Sequence, residues 1–380
     1  MIMASGERIC FVVSSPMTAQ AFLSGHIAAL AKHHPVDLVV NAPAQSAVGD
    51  IQSQARIVSV AIRRKIEPLA DLAALLKLYA LFRRERYAAV SSVTPKAGML
   101  AMLAAALAGV PRRIHIFTGQ VWATRTGWQR WLLKLADRMM VRMATHVLAD
   151  SPSQRDFMVA EGVVAAAKVS VPGNGSICGV DGDRFRPDAG RRAAIRAEHG
   201  IPGSACVFLY LGRLNRDKGM PDLADAFAQL DRQDAWLLVV GPDEEGMQDE
   251  MQARIGVSRD RCRFVGYTDR PEEYMAAADV FCLPSYREGF GMVVIEAASA
   301  GIPAVASRIY GVTDAVEEGV TGLLHRPGDV AGIAREMTLM AGDASRRIEM
   351  GRAARERALG LFSRSAVTNA WVRFFGQLLA

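Results

Sequence analysis

The chain has 380 residues, of which 51% are hydrophobic and 22% charged, and a formal net charge of +6. That length has room for about two domains of ordinary size, and the apolar content excludes a disordered chain. Five cysteines scattered without a CxxC pair (Cys10, Cys178, Cys206, Cys262 and Cys282) exclude a disulfide framework and a thiolate zinc site, and they fit a reducing compartment.

The opening segment, Met1 to Val13, places a charged pair before a short apolar run. It reads as a lead into a first strand and not as a secretory signal. Arg8 to Ser14 is a buried-strand pattern, followed by an expected helix over Ala19 to His33 and a second strand over Val36 to Asn41. Pro68 to Arg86 reads as a long amphipathic helix. Further strands are expected at Tyr87 to Ser92, Arg113 to Phe117 and His146 to Ala149. The longest apolar stretch, Ala97 to Val110, is well short of the roughly 18 residues that span a bilayer, so the protein is expected to be soluble or bound to a membrane surface. The turn-rich segment Val171 to Gly179 reads as a join between halves. Beyond it, strands are expected at Cys206 to Leu211, Trp236 to Val240, Cys262 to Val265, Val280 to Leu283 and Pro303 to Ala306, with helices from Met220 and over Met292 to Ala300. From Phe362 the spacing of Val367, Trp371, Phe374, Phe375 and Leu378 predicts a final helix with one apolar face. Strands alternating with helices argue for an α/β protein with two doubly wound parallel sheets. The expected domains are residues 1–173 with 362–380, and residues 180–361.

Two carboxylates, Glu288 and Glu296, flank a glycine-containing turn between an expected strand and helix. Loops at the carboxyl ends of strands bind ligands in open α/β sheets, and free amides at a helix start suit a phosphate. Acidic groups on both sides of a phosphate site outline a nucleotide-sugar site. Upstream, Gly212-Arg-Leu-Asn-Arg-Asp-Lys-Gly219 puts Arg213 and Lys218 after the first strand of the second half, where two cations can neutralise a departing diphosphate. Asp181-Gly-Asp183 superficially matches a metal-holding pair, but it lies in the join and reads as an Asx-type turn. No bound metal or other cofactor is expected.

These motifs, with Val240-Gly-Pro-Asp243, Phe264-Val-Gly-Tyr267 and Gly319-Val-Thr-Gly322, occur in the order seen in family 4 glycosyltransferases, which the second half resembles as a set. The first half is similar to a subgroup making bacterial surface polysaccharides, through His115-Ile-Phe-Thr-Gly-Gln-Val-Trp122 and Asp150-Ser-Pro-Ser-Gln-Arg155. The resemblance implies the GT-B fold, two Rossmann-like domains facing across a cleft. It also implies retaining, metal-independent transfer from a nucleotide-diphosphate sugar, UDP-linked, to a polyprenyl-diphosphate-linked saccharide. By that likeness Gly212, Arg213 and Lys218 hold the diphosphate. Glu288 and the amides of Phe290, Gly291 and Met292 hold sugar and phosphate, Glu296 takes the ribose hydroxyls, and backbone near Tyr267 meets the base. His115, expected at a strand end, approaches the donor sugar. Two departures from the family pattern are Ser14 to Gln20, where many relatives carry Gly-Gly, and Tyr310 to Asp314, where Gly311 is kept as a site residue.

Two other readings compete. A nucleotide-dependent oxidoreductase also suits two Rossmann-like halves, but neither first-strand turn carries Gly-x-Gly-x-x-Gly. A non-catalytic sugar-nucleotide binder is disfavoured by the intact Arg213, Lys218, Glu288 and Glu296.

Charge is uneven. Residues 1–174 carry 20 Lys and Arg against 10 Asp and Glu, whereas residues 175–380 carry 25 against 29. Within the basic half Arg125, Arg130, Lys134, Arg138 and Arg142 recur beside Trp128 and Trp131, a pattern suited to an anionic lipid surface. The expected location is cytoplasmic, peripheral on the inner face of the plasma membrane, with no nucleic-acid partner.

Overall fold

A computed structural model describes residues 7–42, 45–63, 65 and 67–380. The opening residues 1–6, read above as no signal peptide, lie outside the described residues. The chain divides into two compact units, residues 1–178 with 364–380, and residues 179–363.

The first unit runs β1 (Ile9–Val12), α1 (Pro16–Phe22), α2 (Ser24–Leu30), β2 (Val36–Val40), β3 (Arg56–Ser59), α3 (Pro68–Glu85), β4 (Ala89–Val93) and α4 (Pro95–Leu107). It continues with β5 (Arg112–Phe117), α5 (Gly127–Met143), β6 (His146–Ala149), α6 (Pro152–Ala160) and β7 (Val169–Ser170). The seven strands are parallel in the order β3-β2-β1-β4-β5-β6-β7. Strands covered on both faces read as near-continuous apolar runs, which is why Ile9–Val12 and Val36–Val40 are buried throughout. Asp37 interrupts the second run, and its buried carboxylate is held by Arg56, Arg8 and the Tyr87 hydroxyl.

The second unit runs α7 (Ala189–Glu198), β8 (Cys206–Leu211), α8 (Met220–Ala228), β9 (Ala235–Val240), α9 (Met247–Ile255), β10 (Cys262–Val265) and α10 (Pro271–Ala277). It continues with β11 (Val280–Leu283), α11 (Met292–Ser299), β12 (Ala304–Ser307), α12 (Val312–Ala315), β13 (Gly322–His325), α13 (Val330–Gly342) and α14 (Ala344–Phe362). Its six parallel strands take the order β10-β9-β8-β11-β12-β13. The final helix, α15 (Arg364–Leu379), returns to the first unit. There Trp371 stacks on His26 at 4.3 Å, and the His26 Nε2 lies 2.6 Å from the Ile177 carbonyl. Burial lowers the His26 pKa to about 4, so this ring sits in the core as neutral imidazole.

Two expectations need correction. The helix expected over Ala19 to His33 is two helices broken at Leu23, where the Ser24 hydroxyl donates to the Gln20 carbonyl at 2.9 Å and competes with the helical ladder. Strands β3, β7 and β13 were not anticipated.

Candidate active site in the second unit

The strand order of the second sheet reverses between β8 and β11: β9 flanks β8 on one side and β11 on the other. Loops leaving neighbouring strands in opposite directions open a crevice outside their carboxyl ends. The loop after β8 carries Gly212, Arg213 and Lys218, and the loop after β11 carries Glu288 and Phe290.

One ion pair joins these loops. Lys218 Nζ lies 2.5 Å from Glu288 Oε1, with both side chains largely buried, and the Ser285 hydroxyl donates to the same oxygen at 2.8 Å. An ammonium has three donors, of which Glu288 takes one. Backbone bonds reinforce the junction, since the Tyr286 amide donates to the Asp217 carbonyl at 2.9 Å. Gly219, at φ +71, approaches so closely that an added Cβ would stand 2.2 Å from the Pro284 oxygen.

Arg213 is held differently. Its Nη1 pairs with Glu244 at 3.0 Å, half exposed, and the Tyr210 hydroxyl donates to its carbonyl at 2.7 Å. Asn215 links the two cations: its Nδ2 donates to Glu244 at 3.2 Å, and its Oδ1 caps the Lys218 amide at 3.1 Å. Glu244 and Asn215 were missed in the sequence. Asn215 lies inside the Arg213–Lys218 motif, and its position three residues before Lys218 is an N-cap spacing that could have marked it.

Phe290 is buried and packs edge-on against Phe362 at 5.1 Å, so its ring anchors the loop whose amides lead into α11. Gly291 precedes that helix with φ +84, Met292 is its first residue and Glu296 lies one turn in. Gly311 backs the same loop. Its φ is +82, and an added Cβ would stand 2.2 Å from the Gly289 oxygen. Tyr267 follows β10 with its side chain 77% exposed, next to Gly266, whose carbonyl accepts from the Gly241 amide at 3.1 Å.

His115 does not end its strand. It is the fourth of six residues of β5, fully buried, with Nδ1 2.9 Å from the Ser92 hydroxyl and its ring edge-on to Phe117 at 4.6 Å. A Cβ on Gly98 would stand 2.3 Å from its ring, and burial lowers its pKa to about 3. This is the setting of a neutral core histidine, so the expected approach to the donor is withdrawn. Asp181 does form the Asx turn, accepting from the amides of Asp183 and Arg184 at 3.1 Å each. Among the described residues no group of three or more His, Cys, Asp or Glu is placed to hold a metal ion.

Comparison with known proteins fits this layout. Residues 191–357 match the family "Glycosyl transferases group 1" and residues 19–175 the "Glycosyl transferase 4-like domain". A D-inositol 3-phosphate glycosyltransferase of Saccharomonospora viridis is 32% identical, over 69% of this chain and 68% of its own. The chain belongs to the group 1 glycosyltransferases. The glycosyltransferase is also 29% identical to the capsular polysaccharide biosynthesis glycosyltransferase CapM of Staphylococcus aureus, over 80% of each chain. It is 27% identical to the UDP-Gal:alpha-D-GlcNAc-diphosphoundecaprenol alpha-1,3-galactosyltransferase of Escherichia coli, over 74% of this chain and 73% of that one. In fold it matches the crystal structure of Anabaena HepE in complex with UDP and glucose, with a TM-score of 0.81, 20% identity, and coverage of 98% of this chain and all of that one. Its fold is therefore GT-B, two Rossmann-like parallel-sheet domains.

Two outcomes are expected. Lys218→Ala should cut sugar transfer at least about a hundredfold, the scale seen when a group stabilising developing charge is removed. The loss of Glu288's partner should also destabilise the second unit by about 1–3 kcal/mol; turnover near wild type in a steady-state assay would remove the diphosphate role. Gly311→Ala, forced into a left-handed backbone against Gly289, should destabilise by about 1–2 kcal/mol or more and weaken nucleotide binding. A calorimetric titration that finds unchanged UDP affinity in Gly311→Ala would show that the α11 loop does not rest on this contact.

Proposed function

We propose that this glycosyltransferase works with retention and without a bound metal, moving a sugar from a UDP-linked donor to a polyprenyl-diphosphate-linked saccharide during surface-polysaccharide assembly. The observation that carries the donor site is the Lys218–Glu288 pair at the switch point of the second sheet. In this reading Lys218 spends its remaining donors on the diphosphate, and Arg213, fixed by Glu244, adds a second positive charge. Both favour the charge that develops as the sugar–phosphate bond breaks, the work a divalent cation does in other sites. Glu288 orients Lys218 and meets a sugar hydroxyl. The amides of Phe290, Gly291 and Met292 meet sugar and phosphate, Glu296 accepts from the ribose, and backbone near Tyr267 meets the base. Retention follows from the family likeness: the incoming hydroxyl attacks the face the diphosphate leaves, which returns the original anomeric configuration.

The lipid-linked acceptor is supported by the first unit. In α5, Trp128, Trp131, Leu132 and Met139 form an exposed stripe, with the two indoles 71% and 63% exposed. In α3, Leu69, Leu72, Leu76 and Tyr79 form a second. Both helices pack against α4, which puts the stripes in one layer. Two apolar stripes bearing exposed Trp and Tyr suit the interface of a bilayer. The cations contribute less than their number promises. Arg130 and Lys134 pair with Glu161 at 2.8 and 2.7 Å and lie over the Trp122 ring, and Arg138 donates to the Gly162 carbonyl at 2.9 Å. Arg125 and Arg142 are exposed. Among the described residues no helix is long and apolar enough to cross a membrane, and a peripheral place on the inner face of the plasma membrane is the location proposed.

Activity in EDTA should equal that in Mg²⁺, and the transferred sugar should keep the donor's anomeric configuration by NMR. A strong EDTA loss reversed by Mg²⁺ or Mn²⁺, or an inverted product, would overturn the corresponding half of the mechanism. The protein should cosediment with anionic vesicles at low salt, and Trp128→Ala with Trp131→Ala should weaken this about tenfold, at roughly 1 kcal/mol or less for each interfacial indole. Wild-type protein left in the supernatant would count against the membrane face, and transfer to inositol phosphate in place of any lipid-linked sugar would replace the acceptor class.

A further inference from the structure

Between α3, α4 and α5 lies a cavity of about 320 Å³, at the carboxyl end of β5. Its walls are Met99 and Leu100 of α4, Phe117 at the end of β5, and Leu133, Ala136 and Met140 of α5. Val121 and Trp122 complete it from the segment after β5. Three charged side chains reach the lining, and each is already engaged. Lys96 and Asp71 pair at 2.6 Å at the start of α4, and the Asp137 carboxylate accepts from the Trp122 indole at 2.7 Å.

Packed interiors leave few voids larger than a water molecule, and this one opens to the surface beside the exposed Val121. This one has the size and lining of a small-ligand pocket. Of the helices around it, α5, which supplies one wall, also carries Trp128, Trp131 and Leu132, and α3, which contributes Asp71, carries Leu69, Leu72 and Leu76. A chain leaving a lipid phase against those stripes would pass from one apolar surroundings to another without crossing water.

We propose that this cavity binds the isoprenoid segment next to the diphosphate of the lipid-linked acceptor, with Lys96 as the cation that meets the diphosphate. The proposal rests on the lipid-linked acceptor argued above. It adds the place and the residues that read the lipid, making acceptor choice depend on the chain as well as on the sugar. An apolar slot of this kind selects by buried area, so each further carbon it accepts strengthens binding until the space is full. The Lys96–Asp71 pair sets the polar end. Lys96 gives one donor to Asp71 and one to the Lys65 carbonyl, which leaves its third for the diphosphate, and Asp71 holds it in place.

The test uses the full chain and two obstructing variants, Ala136→Phe in the wall and Val121→Trp in the half-exposed lining, where a larger side chain is easily accommodated. Geranylgeranyl diphosphate should raise the thermal midpoint of wild type, whereas inorganic diphosphate at the same concentration should not reproduce the shift at this site. Both variants should weaken the geranylgeranyl response by about tenfold or more while UDP still stabilises them as it does wild type, which shows that they are folded. In the assay, both should lose activity on a polyprenyl-linked acceptor and keep it on the same saccharide carrying a short, water-soluble aglycone. If the variants bind geranylgeranyl diphosphate like wild type, or glycosylate the polyprenyl-linked acceptor equally well, the slot is wrong while the lipid-linked acceptor stands. If wild type glycosylates no polyprenyl-linked acceptor at all, the acceptor reading itself has failed.

Discussion

The candidate active site depends on one salt bridge placed where the sheet changes direction. Lys218 and Glu288 are 70 residues apart in the chain and sit on loops that leave neighbouring strands β8 and β11. Among the described residues, Glu288 is held within its own loop only by the Ser285 hydroxyl, and the Lys218 ammonium meets no side chain of the loop after β8. Lys218 sits next to a left-handed glycine, and Glu288 lies in a turn just before Gly289. Joining them makes each loop the other's template, and only a glycine at 219 lets the two loops approach this closely at Pro284. A pair of this kind is a poor source of stability, because desolvating both charges offsets most of their attraction. Its value lies in specification, since it fixes an ammonium beside a carboxylate at the place proposed for a diphosphate sugar.

The loops of the candidate site were easier to read in the sequence than the edges of the sheets that carry them. Arg213, Lys218, Glu288 and Glu296 were visible because charged residues after apolar runs stand out, and because loops at strand ends can be placed once the runs are found. The strands that escaped, β3, β7 and β13, are all at sheet edges. An interior strand of a parallel sheet is covered on both faces and reads as an unbroken apolar run. An edge strand need not be, and Arg56-Ile-Val-Ser59 and Val169-Ser170 carry too few apolar residues to register. Of the two glycines that shape the site, Gly219 stood out as the end of the Arg213–Lys218 motif and Gly311 as a site residue by family likeness. What they do could not be seen, because it consists of backbone approaches to Pro284 and Gly289, far away in the chain.

His115 and the basic helix show the opposite failure, in which a residue type promised more than its surroundings allow. An imidazole near a strand end invites a catalytic reading. Here the strand runs two residues further, and the ring is closed over by Gly98, whose missing side chain leaves the space the imidazole fills. Likewise four cations on α5, with Arg125 just before it, suggested an electrostatic attraction to lipid. Glu161 lies close in space to two of them, and Trp122 lies beneath both. Formal charge counted along a helix overstates the field it projects when neighbouring elements supply the counter-charges.

That neutralisation changes what kind of surface the first unit offers. With Arg130, Lys134 and Arg138 committed to Glu161 and Gly162 just after α6, the exposed character of α5 is set by Trp128, Trp131, Leu132 and Met139. Binding through such a face should depend on apolar burial more than on salt, because counterion screening weakens charge pairs and leaves hydrophobic burial almost untouched. The Arg130–Trp122–Lys134 cluster then has a structural purpose. It closes the outer side of the segment after β5, while the inner side of Trp122, through its bond to Asp137, lines the apolar cavity. The same residues that remove charge from the surface therefore shape the wall of the cavity beneath it. The surface proposed to meet lipid and the cavity proposed to take one chain of it share a single arrangement of α3, α4 and α5.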